Sequence, residues 1–106
     1  MPILTSNIHP QEIAALGVAL AEAAAFGADY ARQVVRNAKA LGRALRQRGF
    51  DVLYGDLGFT GSHTVLLRMG SPSTAVSLLD RAGIFCNARE LPWDEAPTAT
   101  GIRLGT

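Results

Sequence analysis

The chemistry available to this chain rests on few side chains. Arg103 sits in Gly101-Ile102-Arg103-Leu104-Gly105, a pattern that reads as a strand. Desolvating a guanidinium is costly unless it is paired, and its planar fork suits a carboxylate held by two hydrogen bonds. The two glycines would let a ligand approach the backbone, and an internal partner such as Asp94 or Glu95 would satisfy the arginine equally well. His9, His63 and Cys86 are widely separated and lack the spacing of a zinc site. Ser62 and His63 are adjacent, which does not define a nucleophile and its base. His63, at the entrance of a strand, suits a partly buried structural histidine or a catalytic one. The loop glycines Gly55, Gly58 and Gly61 match neither GxGxxG nor a Walker A sequence and suit turn geometry. Cys86, between Phe85 and Asn87, reads as apolar filler. Nine arginines accompany a single lysine, Lys39.

These side chains must be positioned by few elements. At 106 residues the chain is one domain by length, with 48% apolar and 18% charged residues, which argues against intrinsic disorder. A net charge of +1 gives no general attraction to nucleic acid or anionic membrane. One cysteine excludes an internal disulfide and fits a reducing, cytoplasmic setting. No uninterrupted apolar run approaches about 18 residues, so no membrane span or export signal is expected.

The pattern predicts an α+β fold. Pro10 is placed as a first helical residue behind His9, and residues 11–26 form an alanine-rich helix with little charge on any face. Such a helix needs cover on several sides, which a domain of this size has trouble providing. Gly27 and Ala28 are read as a break, giving a segment 1–27 and a second segment 28–106. Asp29 would cap a second helix running to about Arg48, with Gly49 as its left-handed stop. Arg32, Arg36, Lys39, Arg43 and Arg46 form a basic stripe on that helix, a solvated face or a phosphate-docking one. Then come short strands at 50–54 and 64–69, a helix opened by Ser71-Pro72 and closed by Gly83, a strand at 84–87, a loop at 88–100 and a last strand at 101–105. The sheet is expected to be small and mainly antiparallel.

With these motifs placed, the chain resembles the serine hydroxymethyltransferase family of pyridoxal-phosphate enzymes, which have the aspartate-aminotransferase fold. Gly101-Ile102-Arg103-Leu104-Gly105-Thr106 is similar to the family's terminal-strand signature. The run from Gln33 to Leu41 is similar to its long helix entering the small domain, and Arg81-Ala82-Gly83-Ile84 through Asn87 resembles the segment before its active-site loop. The resemblance implies that residues 1–27 correspond to a lead-in and the last large-domain helix, and 28–106 to a truncated C-terminal small domain. It implies that Arg103 binds the α-carboxylate of an amino acid substrate held on the cofactor.

The family's Schiff-base lysine lies in a Thr-His-Lys context absent here, and Lys39 on the basic stripe is no substitute. The resemblance therefore implies a partner: a large subunit that carries the lysine and holds most of the pyridoxal 5'-phosphate, in a heterodimer or higher hetero-oligomer. Where the family has a Gly-Gly-Pro turn near the cofactor phosphate, this chain has Ser6-Asn7-Ile8-His9-Pro10. Ser6, Asn7 and His9 would there serve as phosphate or substrate donors, or as helix caps. Asn87-Ala88-Arg89 replaces the family's Asn-Lys-Asn, so tetrahydrofolate recognition is not implied. The loop carries Trp93 in place of the usual Ser-Pro-Phe. These departures look like those of threonine transaldolases, which do aldol chemistry at Cα without folate. The expected function is thus the small part of a split enzyme acting on glycine, serine, threonine or another β-hydroxy amino acid. The alternative is a non-catalytic α+β module that binds through its basic helix face.

Overall fold

The computed structural model describes residues 9–92, 94 and 99–106, and the chain divides into two compact units, residues 1–32 and 33–106. The element order is α1 (Pro10–Gln47), a 3-10 turn (Gly55–Leu57), β1 (Thr64–Arg68), α2 (Pro72–Arg81), β2 (Asn87–Arg89) and β3 (Gly101–Gly105). One long N-terminal helix, a second helix and a three-stranded antiparallel sheet make the expected α+β arrangement.

The expected pair of N-terminal helices is in fact one helix of 38 residues, about 57 Å long. Gly27 does not break it. A glycine inside a helix costs about 1 kcal/mol relative to alanine, and the alanines on both sides propagate the helix past that cost. Asp29 is consequently no cap; its carboxylate pairs with Arg32 one turn on. In the first unit Ile13, Leu16, Val18, Leu20 and Phe26 are all exposed. An 18-residue window of α1 reaches a mean hydropathy of 1.4, so by length and composition alone this helix is apolar enough to cross a bilayer, although no single run is unbroken.

The second unit carries the core. Ala38 from α1 and Val52, Val65, Leu67 and Ile102 are buried together, with Leu41, Leu45, Val76 and Leu79 packed against them. Both helices end as glycine placement predicts. Gly49 (φ 87°) and Gly83 (φ 77°) take the left-handed conformation, and the amides of Phe50 and Ile84 reach back to the carbonyls of Leu45 and Leu79. The strand expected at 50–54 reduces to a single bridge, Val52 opposite Leu67, because the left-handed Tyr54 (φ 58°) turns the chain away. The strand expected at 84–87 begins only at Asn87, which leaves Ile84 and Phe85 exposed before pairing starts.

Strand order is β1-β3-β2, all antiparallel, so β3 is central. Val65, Leu67 and Ile102 face the helices, and the core on that side is incompletely closed. A cavity of about 440 Å³ remains there, lined by Leu41, Leu45, Phe50, Leu78, Ile84 and Phe85 among others. The loop between Tyr54 and Thr60 is held against α1 through Phe59. A Cβ at Gly42 would lie 2.8 Å from the Phe59 ring, so this notch in the helix accepts the aromatic only because residue 42 has no side chain. Gly42→Val should therefore overpack the contact and cost roughly 1–3 kcal/mol, lowering the melting temperature by at least about 4 °C in a thermal denaturation.

Candidate functional site

Alternation along β3 sends Arg103 to the sheet face opposite Ile102, away from the helices. Its neighbours there follow from the register. Leu66 on β1 and Asn87 on β2 lie directly across from Arg103, while Arg68 and Arg89 lie across from Gly101. Three guanidiniums thus share one face of a small sheet.

Their surroundings differ. Arg68 is neutralised, with its Nη1 3.1 Å from Asp94 and its Nε 3.7 Å from Asp51. Arg103 is exposed and donates from Nη2 to the Asn87 side-chain carbonyl at 3.1 Å. A neutral amide orients this guanidinium without discharging it, and among the described residues no carboxylate pairs with it. Of the two internal partners considered from sequence, Asp94 is committed to Arg68, and Glu95 lies outside the described residues. Arg89 is exposed and has no side-chain hydrogen bond or ion pair among the described residues.

His63 is exposed, not partly buried as one reading expected. Its ring lies beside Gly105, where a Cβ would be 3.7 Å from Cδ2, and its carbonyl accepts from the Thr106 amide. The register puts Asn87, Arg89 and Arg103 on one sheet face, while His63 lies just before β1 at the Gly105 end. His9 stands just before α1, where its backbone carbonyl accepts the amides of Glu12 and Ile13 as the first bonds of the helix. Ser6 and Asn7 lie outside the described residues. Lys39 is on α1 with its ammonium against the loop at Gly58. The basic stripe is partly consumed locally, since Arg32 pairs with Asp29, Arg36 with Gln33 and Arg46 with Asp56. Among the described residues no cluster of His, Cys, Asp and Glu could hold a metal ion.

Two parts of this region were not picked out from sequence. A shallow cavity of about 390 Å³, lined by Tyr54, Leu57, Phe59, Thr60, Thr64 and Leu66, opens at the strand opposite Arg103. The consecutive apolar residues Val65, Leu66 and Leu67 held the signal that both faces of the strand are apolar, but only the register puts Leu66 across from the arginine. The second part is a clamp on the loop after β2. Leu91, only 3% exposed, sits over Gly101, where a Cβ would fall 2.6 Å from its Cδ1. Asp94 then accepts from the Thr100 hydroxyl, the Leu91 amide at 2.9 Å and Arg68. This carboxyl is held below the usual aspartate range, chiefly by the Thr100 hydrogen bond and further by Arg68 and the Leu91 amide, against the opposing effect of burial.

A family model described as serine hydroxymethyltransferase matches residues 2–106. The serine hydroxymethyltransferase of Methanosphaera stadtmanae is 46% identical over 111 residues, covering 99% of this chain and 26% of that protein. Those of Korarchaeum cryptofilum and Methanocella arvoryzae are 51% and 43% identical, with 98% and 99% of this chain covered and 26% of each relative. The chain therefore spans about a quarter of the length of the curated relatives it matches.

The Asp94 clamp has a defined pH signature. A carboxyl whose folded-state pKa is depressed stabilises the fold above its unfolded value, about 3.9, and that stabilisation is lost as pH falls through the folded value. Chemical denaturation of the wild type should accordingly show stability dropping on acidification below about pH 4. Asp94→Asn should be less stable near neutrality and show a shallower acid slope; an unchanged slope would mean that Asp94 does not carry the effect.

Proposed function

Because this chain belongs to the serine hydroxymethyltransferase family, we propose that it forms the C-terminal, substrate-carboxylate-binding part of a pyridoxal-phosphate enzyme. The chemistry is aldol or retro-aldol bond change at Cα of glycine, serine, threonine or another β-hydroxy amino acid, of the hydroxymethyltransferase or transaldolase kind. One observation carries this reading: Arg103 lies on the central strand, oriented by the Asn87 amide and without a carboxylate partner among the described residues. Only one of the guanidinium's five N–H groups has a partner there, which leaves a fork available to a carboxylate.

The described residues do not fit the cofactor itself. Lys39 stands on α1 against Gly58, not on the sheet face of Arg103, and no other lysine exists in the chain. The lysine and most of the cofactor contacts therefore belong to polypeptide outside these 106 residues, in a hetero-oligomer if that is a separate chain. When bound, pyridoxal phosphate supplies the electron sink for chemistry at Cα. This chain's part is to bind and orient. Arg103 fixes the carboxylate, so the amino acid presents a defined bond for reaction, and the apolar surface around Leu66 forms one wall of the pocket.

The apolar residues left exposed support the same reading. Ile13, Leu16, Leu20 and Phe26 on α1, and separately Leu78, Ile84 and Phe85 in the second unit, are the kind of surface the remainder of an enzyme covers. Since the family match includes α1, its hydropathy is read as protein interior and not as a bilayer span. The alternative of a phosphate-binding helix is not favoured, because three of the five stripe cations are engaged on the helix or the adjoining loop.

The test is Arg103→Lys in the assembled holoenzyme. A lysine keeps the charge but cannot reproduce the fork, so the KM for glycine should rise about ten- to a hundredfold. Unchanged kinetics would remove Arg103 from the substrate site.

A further inference from the structure

The sheet face holds more positive charge than one carboxylate requires. Of its three guanidiniums, Arg68 is satisfied by Asp94 and Asp51. Arg103 is held by a neutral amide, and Arg89 has no side-chain partner among the described residues. Arg89 and Arg103 are diagonal neighbours across the β2–β3 pair, since Arg103 faces Asn87 and Arg89 faces Gly101. Side chains in that relation have Cβ atoms roughly 7 Å apart on the same face, within reach of one small ligand. Leu91, clamped through Asp94, is seated over Gly101, the residue that Arg68 faces from β1 and Arg89 from β2. Arg89 thus stands on the side of Asn87 and Arg103.

We infer that Arg89 and Arg103 form a two-cation site that takes a ligand with two anionic groups: Arg103 the amino acid carboxylate, and Arg89 a second carboxylate or phosphate. The inference rests on the assignment of Arg103 above and goes beyond it, because glycine, serine and threonine have no second anion. The second anion belongs either to an acidic side chain of the amino acid or to the carbonyl partner that reacts with it. In both cases a guanidinium on the diagonal position supplies charge and direction to a group that a neutral residue there would leave unpaired.

The experiment is competition against glycine in the assembled holoenzyme, with succinate and butyrate as probes of similar length but different charge. Wild type should bind succinate at least about tenfold more tightly than butyrate, the effect of one added charged hydrogen bond. In Arg89→Gln that ratio should fall to about one, and Arg89→Lys, which restores a cation, should recover most of it. Arg103→Lys should weaken both probes. Two substrate comparisons then locate the second anion. A lower Kd for aspartate than for alanine puts it on the amino acid; a lower KM for succinic semialdehyde than for butyraldehyde, with glycine as donor, puts it on the carbonyl partner. No preference for succinate in wild type, or a ratio unchanged in Arg89→Gln, overturns the two-cation site while leaving the Arg103 assignment standing. Undiminished binding of both probes in Arg103→Lys overturns the Arg103 assignment itself.

Discussion

The pairing of β3 between β1 and β2 is the constraint on which the rest of this molecule depends. Because β3 is central, Ile102 is buried on the side facing the helices, and the Arg103 side becomes the middle of an open face. Side chains alternate with a period of two, so a slip of one residue would bury the guanidinium and expose Ile102. The core contacts of Val65, Leu67 and Ile102 thus fix where the arginine points as well as how stable the sheet is. Folding energy and site geometry are set by the same register.

The open face is also graded in charge. Carboxylates from Asp51 and Asp94 discharge Arg68 at one end, while the Asn87 amide only steers Arg103. That difference separates an arginine spent on structure from two that no carboxylate neutralises among the described residues. Paired with carboxylates, Arg68 ties the loop after β2 to the sheet, with Leu91 over Gly101 as the apolar half of the clamp. Arg103 and Arg89 keep positive charge available where two rows of the sheet meet.

Much of this was legible in the sequence, for identifiable reasons. Gly49 and Gly83 stopped their helices as expected, because a left-handed residue at a helix end is a local requirement that only the sequence nearby decides. The strand around Ile102 was legible from its flanking glycines, and the one around Val65 from its apolar content after a glycine-punctuated loop. Gly27 misled because a glycine permits a helix to end without forcing it to, and the alanines around it outweighed that permission. The shift of β2 to Asn87 was invisible locally, since where pairing starts depends on β3, which lies 14 residues further along. The same holds for the site. Arg103 stood out by its own context, but its place beside Asn87 and Leu66 is a property of register, and Asp94, a candidate partner for Arg103 from sequence, pairs with Arg68.

Under the proposed function, Arg103 receives a carboxylate presented by polypeptide outside these 106 residues. The most direct measurement is a structure of the assembled enzyme with glycine bound. A glycine carboxylate oxygen is expected at hydrogen-bond distance, about 2.7–2.9 Å, from the Arg103 guanidinium, with Asn87 still steering its other edge. A glycine carboxylate held by other residues, with Arg103 contacting Asn87 alone, would contradict it.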